Sequence, residues 1–138
     1  MTRSDTIELL TTYYQRFNAA DWAGFLDLLS DDVIHDINQG GRERGRAVFG
    51  AFMQRMERCY REEIKSIVIL ADDSGKRAAV EFVVHGTYLN TDEGLPEATG
   101  QTYVLPGGAF FEIEAGKVKR VTNYYNLEEW LRQIGAPT

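Results

Sequence analysis

The chain has 138 residues, 43% of them hydrophobic, which is enough for one domain with a buried core and too few for two independent cores. Its 21 acidic and 15 basic side chains give a net charge of -6, which argues against nucleic acid and anionic membranes as partners. A polar N-terminal segment, a lone cysteine and the lack of a long apolar run exclude a signal peptide, an internal disulfide and a spanning helix. We therefore expect one cytoplasmic domain over residues 1–138.

The first sixty residues predict three helices and one short strand. Apolar side chains at steps of three and four predict a first helix over 7–17. A short second helix is predicted over 21–29, with an aspartate at its N-cap. A strand over 33–37 follows, and a third helix has its apolar side chains between 49 and 60.

The second half of the chain predicts β-structure. Strands are predicted over 64–71, 77–89, 99–113 and 118–125, and the first two form a hairpin. Within the third, Pro106-Gly107-Gly108 predicts a bulge that bends the strand.

Two further segments complete the chain. The loop over 90–98 is long enough to cover an opening and is the candidate lid. Asn126, with Glu129 as its capping-box partner, opens a final helix that Gly135 and Pro137 stop. The element order contains no βαβ alternation, so we predict an α+β fold with a curved, mostly antiparallel sheet and a pocket between sheet and helices.

Several short segments in this order resemble the NTF2-like superfamily: Asn18-Ala19-Ala20-Asp21, Asp31-Asp32-Val33, Gly86-Thr87, Gly94-Leu95-Pro96 and Ala115-Gly116-Lys117-Val118. Within the superfamily the chain is similar to the SnoaL-like and steroid Δ-isomerase-related branch, including the closing segment from Trp130 to Gly135. The resemblance implies a cone-shaped half barrel wrapped around the N-terminal helices, an apolar pocket and a homodimer packed through the sheet.

The resemblance also points to site residues. Ketosteroid isomerase pairs an aspartate base with a tyrosine and a protonated aspartate that hold the enolate oxygen. Similar segments place Tyr13 at the position of that tyrosine and Asp36 on or next to the base. Ala109 stands where the second carboxyl would be, and where the polyketide cyclases typified by SnoaL carry a histidine. Asn123 stands on the last strand, where those cyclases carry a catalytic aspartate.

The residues themselves support these roles and also simpler ones. If Asp36 lines the pocket, apolar walls raise its pKa, as a base working near neutral pH needs; otherwise it is a surface carboxylate. The phenol of Tyr13 or Tyr14 could donate to an enolate oxygen, or both rings simply pack, and helical spacing does not decide which faces the pocket. The amide of Asn123 could donate to a carbonyl, orient a water or satisfy the backbone.

Other residues are assigned on strand alternation and helical spacing. With Asp36 facing inward, His35 faces outward and is structural, whereas His85 is a secondary pocket candidate. Cys59 is expected to be an inert buried thiol. The segment 40–46 is expected to be a solvated turn with an internal Arg–Glu pair rather than an anion site. The ligand contacts are predicted to be Tyr14, Asn38, His85, Tyr125, Phe52 and Met56.

Two functions follow from these assignments. The first is an enzyme without cofactor or metal, in which Asp36 removes a proton next to the carbonyl of an apolar small molecule while Tyr13 and Asn123 hold the enolate oxygen. A hydrolase in which Asp36 or Asn123 orients a water uses the same residues. The second is a noncatalytic binding protein or dimerisation scaffold, which Ala109 and Asn123 favour.

Overall fold

The computed structural model of the chain describes residues 1–38 and 40–135. The helices are α1 (Arg3–Asn18), α2 (Trp22–Leu26), α3 (Arg46–Cys59) and α4 (Leu127–Ile134). The strands are β1 (Leu29–Asp36), β2 (Arg42–Arg44), β3 (Tyr60–Ala71), β4 (Arg77–Tyr88), β5 (Thr102–Glu114) and β6 (Lys117–Tyr125). Within these residues no helix is both long and apolar enough to cross a membrane.

The strands form one curved, unclosed sheet in the order β2-β1-β6-β5-β4-β3. Neighbouring strands run antiparallel, except that β1 and β6 are parallel. The helices α1, α2 and α3 pack against the inner face of this sheet, so the predicted α+β fold with a curved, mostly antiparallel sheet is confirmed.

Side chains on each strand alternate between the two faces of the sheet, and the buried apolar ones point inward. These inward side chains form two clusters. The α1 cluster joins α1, α2 and α3 to the middle of the sheet through buried side chains such as Leu10, Phe25 and Phe111. The α4 cluster joins α4 to the ends of β3, β4 and β5: its buried members are Cys59, Tyr60, Tyr88, Tyr103, Leu105, Trp130 and Ile134.

The predicted caps at Asp21 and Asn126 are present. The Asp21 carboxylate accepts from the Gly24 amide at 3.0 Å, and the Asn126 side-chain oxygen accepts from the Glu129 amide at 3.0 Å. The Glu129 carboxylate bonds Arg132 and Gln133 instead of the backbone amide of Asn126, so the predicted capping box is wrong in its second half. Pro137, predicted to help stop α4, lies outside the described residues.

Three boundaries differ from the sequence prediction. Leu29, expected in the second helix, begins β1, and Tyr60, expected in the third helix, begins β3. Leu29 and Tyr60 are both buried, and a buried apolar residue fits the helical spacing as well as it fits the alternation of a strand. The segment Arg42–Arg44, expected to be a turn, forms the edge strand β2, where Arg42 pairs with Asp36 rather than with Glu43.

The predicted bulge at Pro106-Gly107-Gly108 is wrong. These residues pair in unbroken register with β4, and the irregularities lie elsewhere: between Leu29 and Ile34, between Lys65 and Val68, and between Glu112 and Ile113. Gly107 serves packing: a Cβ there would lie 2.8 Å from the ring of Phe82.

Candidate functional site

A cavity of about 830 Å³ lies inside the curved sheet, between the α1 cluster and the α4 cluster. Its walls are mainly aromatic and aliphatic, and polar and charged side chains, Arg55 and Arg61 among them, complete the lining. Seven of the residues singled out in the sequence line it: Tyr13, Tyr14, Asn38, Phe52, Met56, Asn123 and Tyr125. Their chemical roles stay predictions.

The orientation predicted for β1 is wrong. His35 lines the cavity, and Asp36 projects from the opposite face of the sheet. Apolar residues occur at both alternating sets of positions in β1, so the sequence pattern allows either face of the strand to point inward. In the structure Val33 and His35 are buried against the helices, and this fixes the side of Asp36.

Asp36 belongs to a polar network on the outer face. Its two oxygens bond the Arg42 guanidinium at 2.6 and 3.2 Å, and the Thr122 hydroxyl donates to it at 2.7 Å. Arg120 stands 3.8 Å away. The hydrogen bonds from Arg42 and then Thr122 outweigh partial burial and lower the pKa of Asp36. The expected raised pKa is therefore also wrong, and Asp36 cannot act on a ligand in this cavity.

His35, expected to be structural and outward, is instead a buried wall of the cavity. Its ring stacks on Phe49 with centroids 4.3 Å apart and meets Phe52 edge-on at 4.7 Å. Nδ1 lies 3.7 Å from a Glu43 carboxylate oxygen, which is longer than a hydrogen bond. Burial lowers the pKa of His35 and exceeds the opposing effect of Glu43, so the imidazole is neutral at neutral pH.

His85 does not line the cavity, and its predicted ligand contact is wrong. Its position on β4 pairs with Glu63 on β3 and Val104 on β5, all three on the outer face. The inward positions of this stretch are Val84 and Gly86.

Tyr13 and Tyr14 both reach the cavity from α1, with ring centroids 4.9 Å apart. Burial raises the pKa of each phenol, so both are neutral hydrogen-bond donors. Across residues 1–38 and 40–135, neither hydroxyl has a hydrogen-bond partner. Both are therefore available to a ligand, and the choice between them stays open.

Asn123, Asn38 and Tyr125 form a polar edge of the cavity. The Tyr125 amide donates to the Asn38 side-chain oxygen at 3.0 Å, which leaves the buried Asn38 amide nitrogen without a partner among the described residues. Asn123 pairs across the sheet with Ala109, which is buried and contributes no polar atom of its side chain.

The loop between β4 and β5, predicted as a lid, forms one wall of the cavity through Leu89, Asp92, Glu93 and Leu95. Two buried tyrosines hold this loop through hydrogen bonds. The Tyr60 hydroxyl donates to the Asp92 carboxylate at 2.8 Å, and the Tyr88 hydroxyl accepts from the Asp92 amide at 2.9 Å. The Tyr88 hydroxyl also donates to the Pro96 carbonyl at 2.6 Å.

Among the polar residues of the cavity that sequence reasoning missed are Glu62 and Tyr103. They project inward from β3 and β5, and the Tyr103 hydroxyl donates to the Glu62 carboxylate. Burial raises the pKa of Glu62 against the opposing hydrogen bond from Tyr103. The alternation of Tyr60, Glu62 and Ile64 indicates this face, but the charged residues around Glu62 are atypical of a strand, so the sequence predicts that the strand begins only at Ile64.

Cys59 is buried, and burial raises the pKa of its thiol, in agreement with the unreactive cysteine expected. In the part of the chain that the structure describes, no three histidine, cysteine or acidic side chains converge as a metal site would require.

The curved sheet wrapped over helices around a cavity is the architecture of the NTF2-like superfamily. An NTF2-like protein from Burkholderia xenovorans, 16% identical, superposes with a TM-score of 0.75 over 98% of this chain and 98% of that one. This likeness shows the shared fold.

Residues 10–121 match the SnoaL-like domain, so the chain belongs to the SnoaL-like family. The resemblance stated from the sequence is confirmed at this level. The chain is 59% identical to a proposed polyketide cyclase from Pseudomonas putida, with a TM-score of 0.93 over 98% of this chain and 99% of that one. A proposed polyketide cyclase from Xanthomonas campestris is 54% identical, with a TM-score of 0.95 over 98% and 100%. No curated protein matches the chain.

Proposed function

We propose that this SnoaL-like protein is an enzyme that binds an apolar, carbonyl-bearing small molecule in the cavity and catalyses proton transfer next to the carbonyl. The observation that carries the proposal is the cavity itself. Its volume of about 830 Å³ is large enough for a molecule of several rings, and most of its walls are aromatic and aliphatic, with polar and charged side chains between them.

The polar groups of the cavity suit a carbonyl ligand. The Tyr13 phenol is neutral and has no partner among the described residues, and Asn123 also lines the cavity. Each can donate a hydrogen bond to a carbonyl oxygen. Such bonds strengthen as negative charge develops on that oxygen, so they lower the barrier to removal of a neighbouring proton.

The proton-transfer class is also the one suggested by the family relatives. The two similar proteins above are each described as proposed polyketide cyclases, at 59% and 54% identity and over nearly the whole chain. Ring closure by a carbon nucleophile begins with the same event, which is loss of a proton next to a carbonyl. The relatives therefore support the reaction class, and the cavity supports an apolar, carbonyl-bearing ligand.

The test uses 2-tetralone, a two-ring ketone whose protons next to the carbonyl exchange with solvent. The protein is incubated with 2-tetralone in D₂O, and the loss of those proton signals is followed by NMR. We expect exchange faster than in protein-free buffer, and about tenfold slower exchange in Tyr13→Phe, the cost of roughly one hydrogen bond to a charged oxygen.

Tyr14→Phe is the matched comparison, because it removes the neighbouring phenol from the same helix. A larger loss in Tyr14→Phe than in Tyr13→Phe transfers the donor role to Tyr14. Wild-type exchange no faster than buffer, with shifts of cavity resonances showing that the ketone binds, contradicts the enzyme and supports the noncatalytic binding protein.

We also propose a homodimer in which the outer face of the sheet meets a second copy. Phe110 and Tyr124 form an exposed aromatic pair there, with centroids 5.8 Å apart, and Val104 and Leu70 are exposed on the same face. Light scattering should give the mass of a dimer for the wild type and of a monomer for Phe110→Glu. A wild-type monomer at micromolar concentration contradicts this proposal.

A further inference from the structure

Glu62 occupies a position on the inner face of β3 where its neighbours are apolar. Tyr60 and Ile64, two residues before and after it on the same face, are both buried. A carboxyl set among such residues loses part of its hydration and persists only with a hydrogen-bond partner or a function. Glu62 also lines the cavity, which makes its oxygens available to a ligand.

The partner of Glu62 reaches it across an intervening strand. Glu62 on β3 pairs with Gly86 on β4, and Gly86 pairs with Tyr103 on β5. The Tyr103 side chain crosses β4 directly over Gly86, and its hydroxyl donates to the Glu62 carboxylate. A Cβ on Gly86 would overlap the Tyr103 ring, so the crossing requires glycine at this position.

The surroundings hold this pair in place, and among the described residues neither of the two arginines that line the cavity, Arg55 and Arg61, forms a salt bridge with Glu62. The Tyr103 ring is buried and meets Trp130 edge-on, with centroids 6.0 Å apart. Tyr125 on β6 is a further titratable neighbour, and the charge of Glu62 contributes to raising the pKa of that phenol. Over the described ranges 1–38 and 40–135, Glu62 makes no salt bridge. A carboxylate without a cationic partner keeps its basicity.

We propose that Glu62 is the general base of the cavity and that Tyr103, held across Gly86, is the residue that positions it. This assignment rests on the proposed function and supplies the base that Asp36 cannot supply. Neither the sequence motifs nor the family relatives assign a role to this pair.

The step balances without a cofactor. The Glu62 carboxylate removes a proton from the carbon next to the ligand carbonyl, so a C–H bond breaks and an O–H bond forms. The electron pair moves to the carbonyl oxygen, where the Tyr13 phenol donates to the enolate. Protonated Glu62 then exchanges its proton with solvent and delivers a solvent deuteron to the same carbon, which gives exchange. Delivery of the proton to a conjugated carbon instead gives isomerisation.

The test is the same 2-tetralone exchange, with Glu62→Gln compared with Glu63→Gln. Glu63 is adjacent in sequence, faces outward and pairs with Lys65 at 3.5 Å, so its substitution makes the same chemical change outside the cavity. We expect Glu62→Gln to slow exchange by about 100-fold or more, the usual contribution of a general base, and Glu63→Gln to match wild type.

Tyr103→Phe separates positioning from bulk structure. The Tyr103 hydrogen bond lowers the pKa of Glu62, so its removal should move the rise of the rate with pH to higher pH. We also expect about tenfold slower exchange at neutral pH. An unchanged pH profile contradicts the positioning role.

The outcomes distinguish this assignment from the proposed function. Wild-type exchange that survives in Glu62→Gln, or is lost in Asp36→Asn instead, overturns Glu62 as the base and leaves the proposed function standing. Absence of exchange in the wild type overturns both. If Glu62→Gln does not fold, Glu62→Asp keeps the carboxyl on a shorter side chain, and we expect it to slow exchange at least tenfold.

Discussion

Asp36 and Glu62 are carboxyls on opposite faces of one sheet, and the faces treat them in opposite ways. On the outer face Asp36 accepts hydrogen bonds from Arg42 and Thr122, and its pKa is lowered. On the inner face Glu62 has a phenol as its partner, and burial raises its pKa. The first is stabilised as a charge, and the second is held ready to take up a proton.

The face of the sheet to which a carboxyl points therefore determines its environment, even between neighbouring residues of one strand. His35 and Asp36 are consecutive, and one step along β1 separates a desolvated imidazole from a solvated ion pair. The same alternation on β3 places Glu62 in the cavity and Glu63 beside Lys65.

The strongest test of the inner face is Gly86→Ala. The added methyl would overlap the Tyr103 ring, so Tyr103 must move away and break its bond to Glu62. We expect a loss of about 1–3 kcal/mol in the free energy of unfolding, as for other overpacked sites, measured by urea denaturation.

The control is Gly41→Ala, where a Cβ would meet nothing within 4 Å. It corrects for the lower entropy that alanine gives the unfolded chain. Equal stability of the two variants would show that Tyr103 does not depend on the missing side chain at Gly86.

The sequence predicted the fold well because periodicity reports burial over whole elements. The helical spacing from Ile7 to Phe17 and the alternation along β4 each specify one buried face, and the antiparallel sheet follows from the short turns. Elements shorter than four residues carry no such signal, and the edge strand Arg42–Arg44 was missed for this reason.

The site was predicted in part because its residues depend on register. Apolar residues occupy both odd and even positions of β1, such as Val33 and Ile34, so the burial of Val33 and His35 against the helices decides the face of Asp36, which no local pattern shows. The Glu62–Tyr103 pair needs three strands in register, which no local pattern specifies.

Asp36→Asn tests the outer face and should have a smaller effect. The lost ion pair with Arg42 is partly exposed, so we expect a loss of about 1 kcal/mol at pH 7. Folding lowers the pKa of Asp36. The charged carboxylate therefore stabilises the fold above its pKa in the unfolded chain, about 3.9, and this stabilisation is lost as pH falls toward its pKa in the folded chain.

The stability difference between wild type and Asp36→Asn should therefore shrink between pH 6 and pH 3, as measured by thermal or urea unfolding at each pH. Glu63→Gln, which removes a more exposed carboxylate, should stay within about 0.5 kcal/mol of wild type at pH 7. A difference for Asp36→Asn that is independent of pH would mean that its charge is not what stabilises the fold.

Glu62→Gln should show the opposite dependence on pH. Among Gly86→Ala, Asp36→Asn and Glu62→Gln, it should change the free energy of unfolding least. Folding raises the pKa of Glu62, so the folded chain binds this proton more tightly than the unfolded chain, whose value is about 4.3. The stability linked to that proton is present below the unfolded value and is lost as pH rises through the folded value. The neutral glutamine escapes this loss, so Glu62→Gln should become more stable relative to wild type from pH 4 to pH 7 while it loses exchange activity. A relative stability that falls over this range would mean that Glu62 is stabilised as a charge, like Asp36, and would remove the contrast between the two faces on which its role as a base depends.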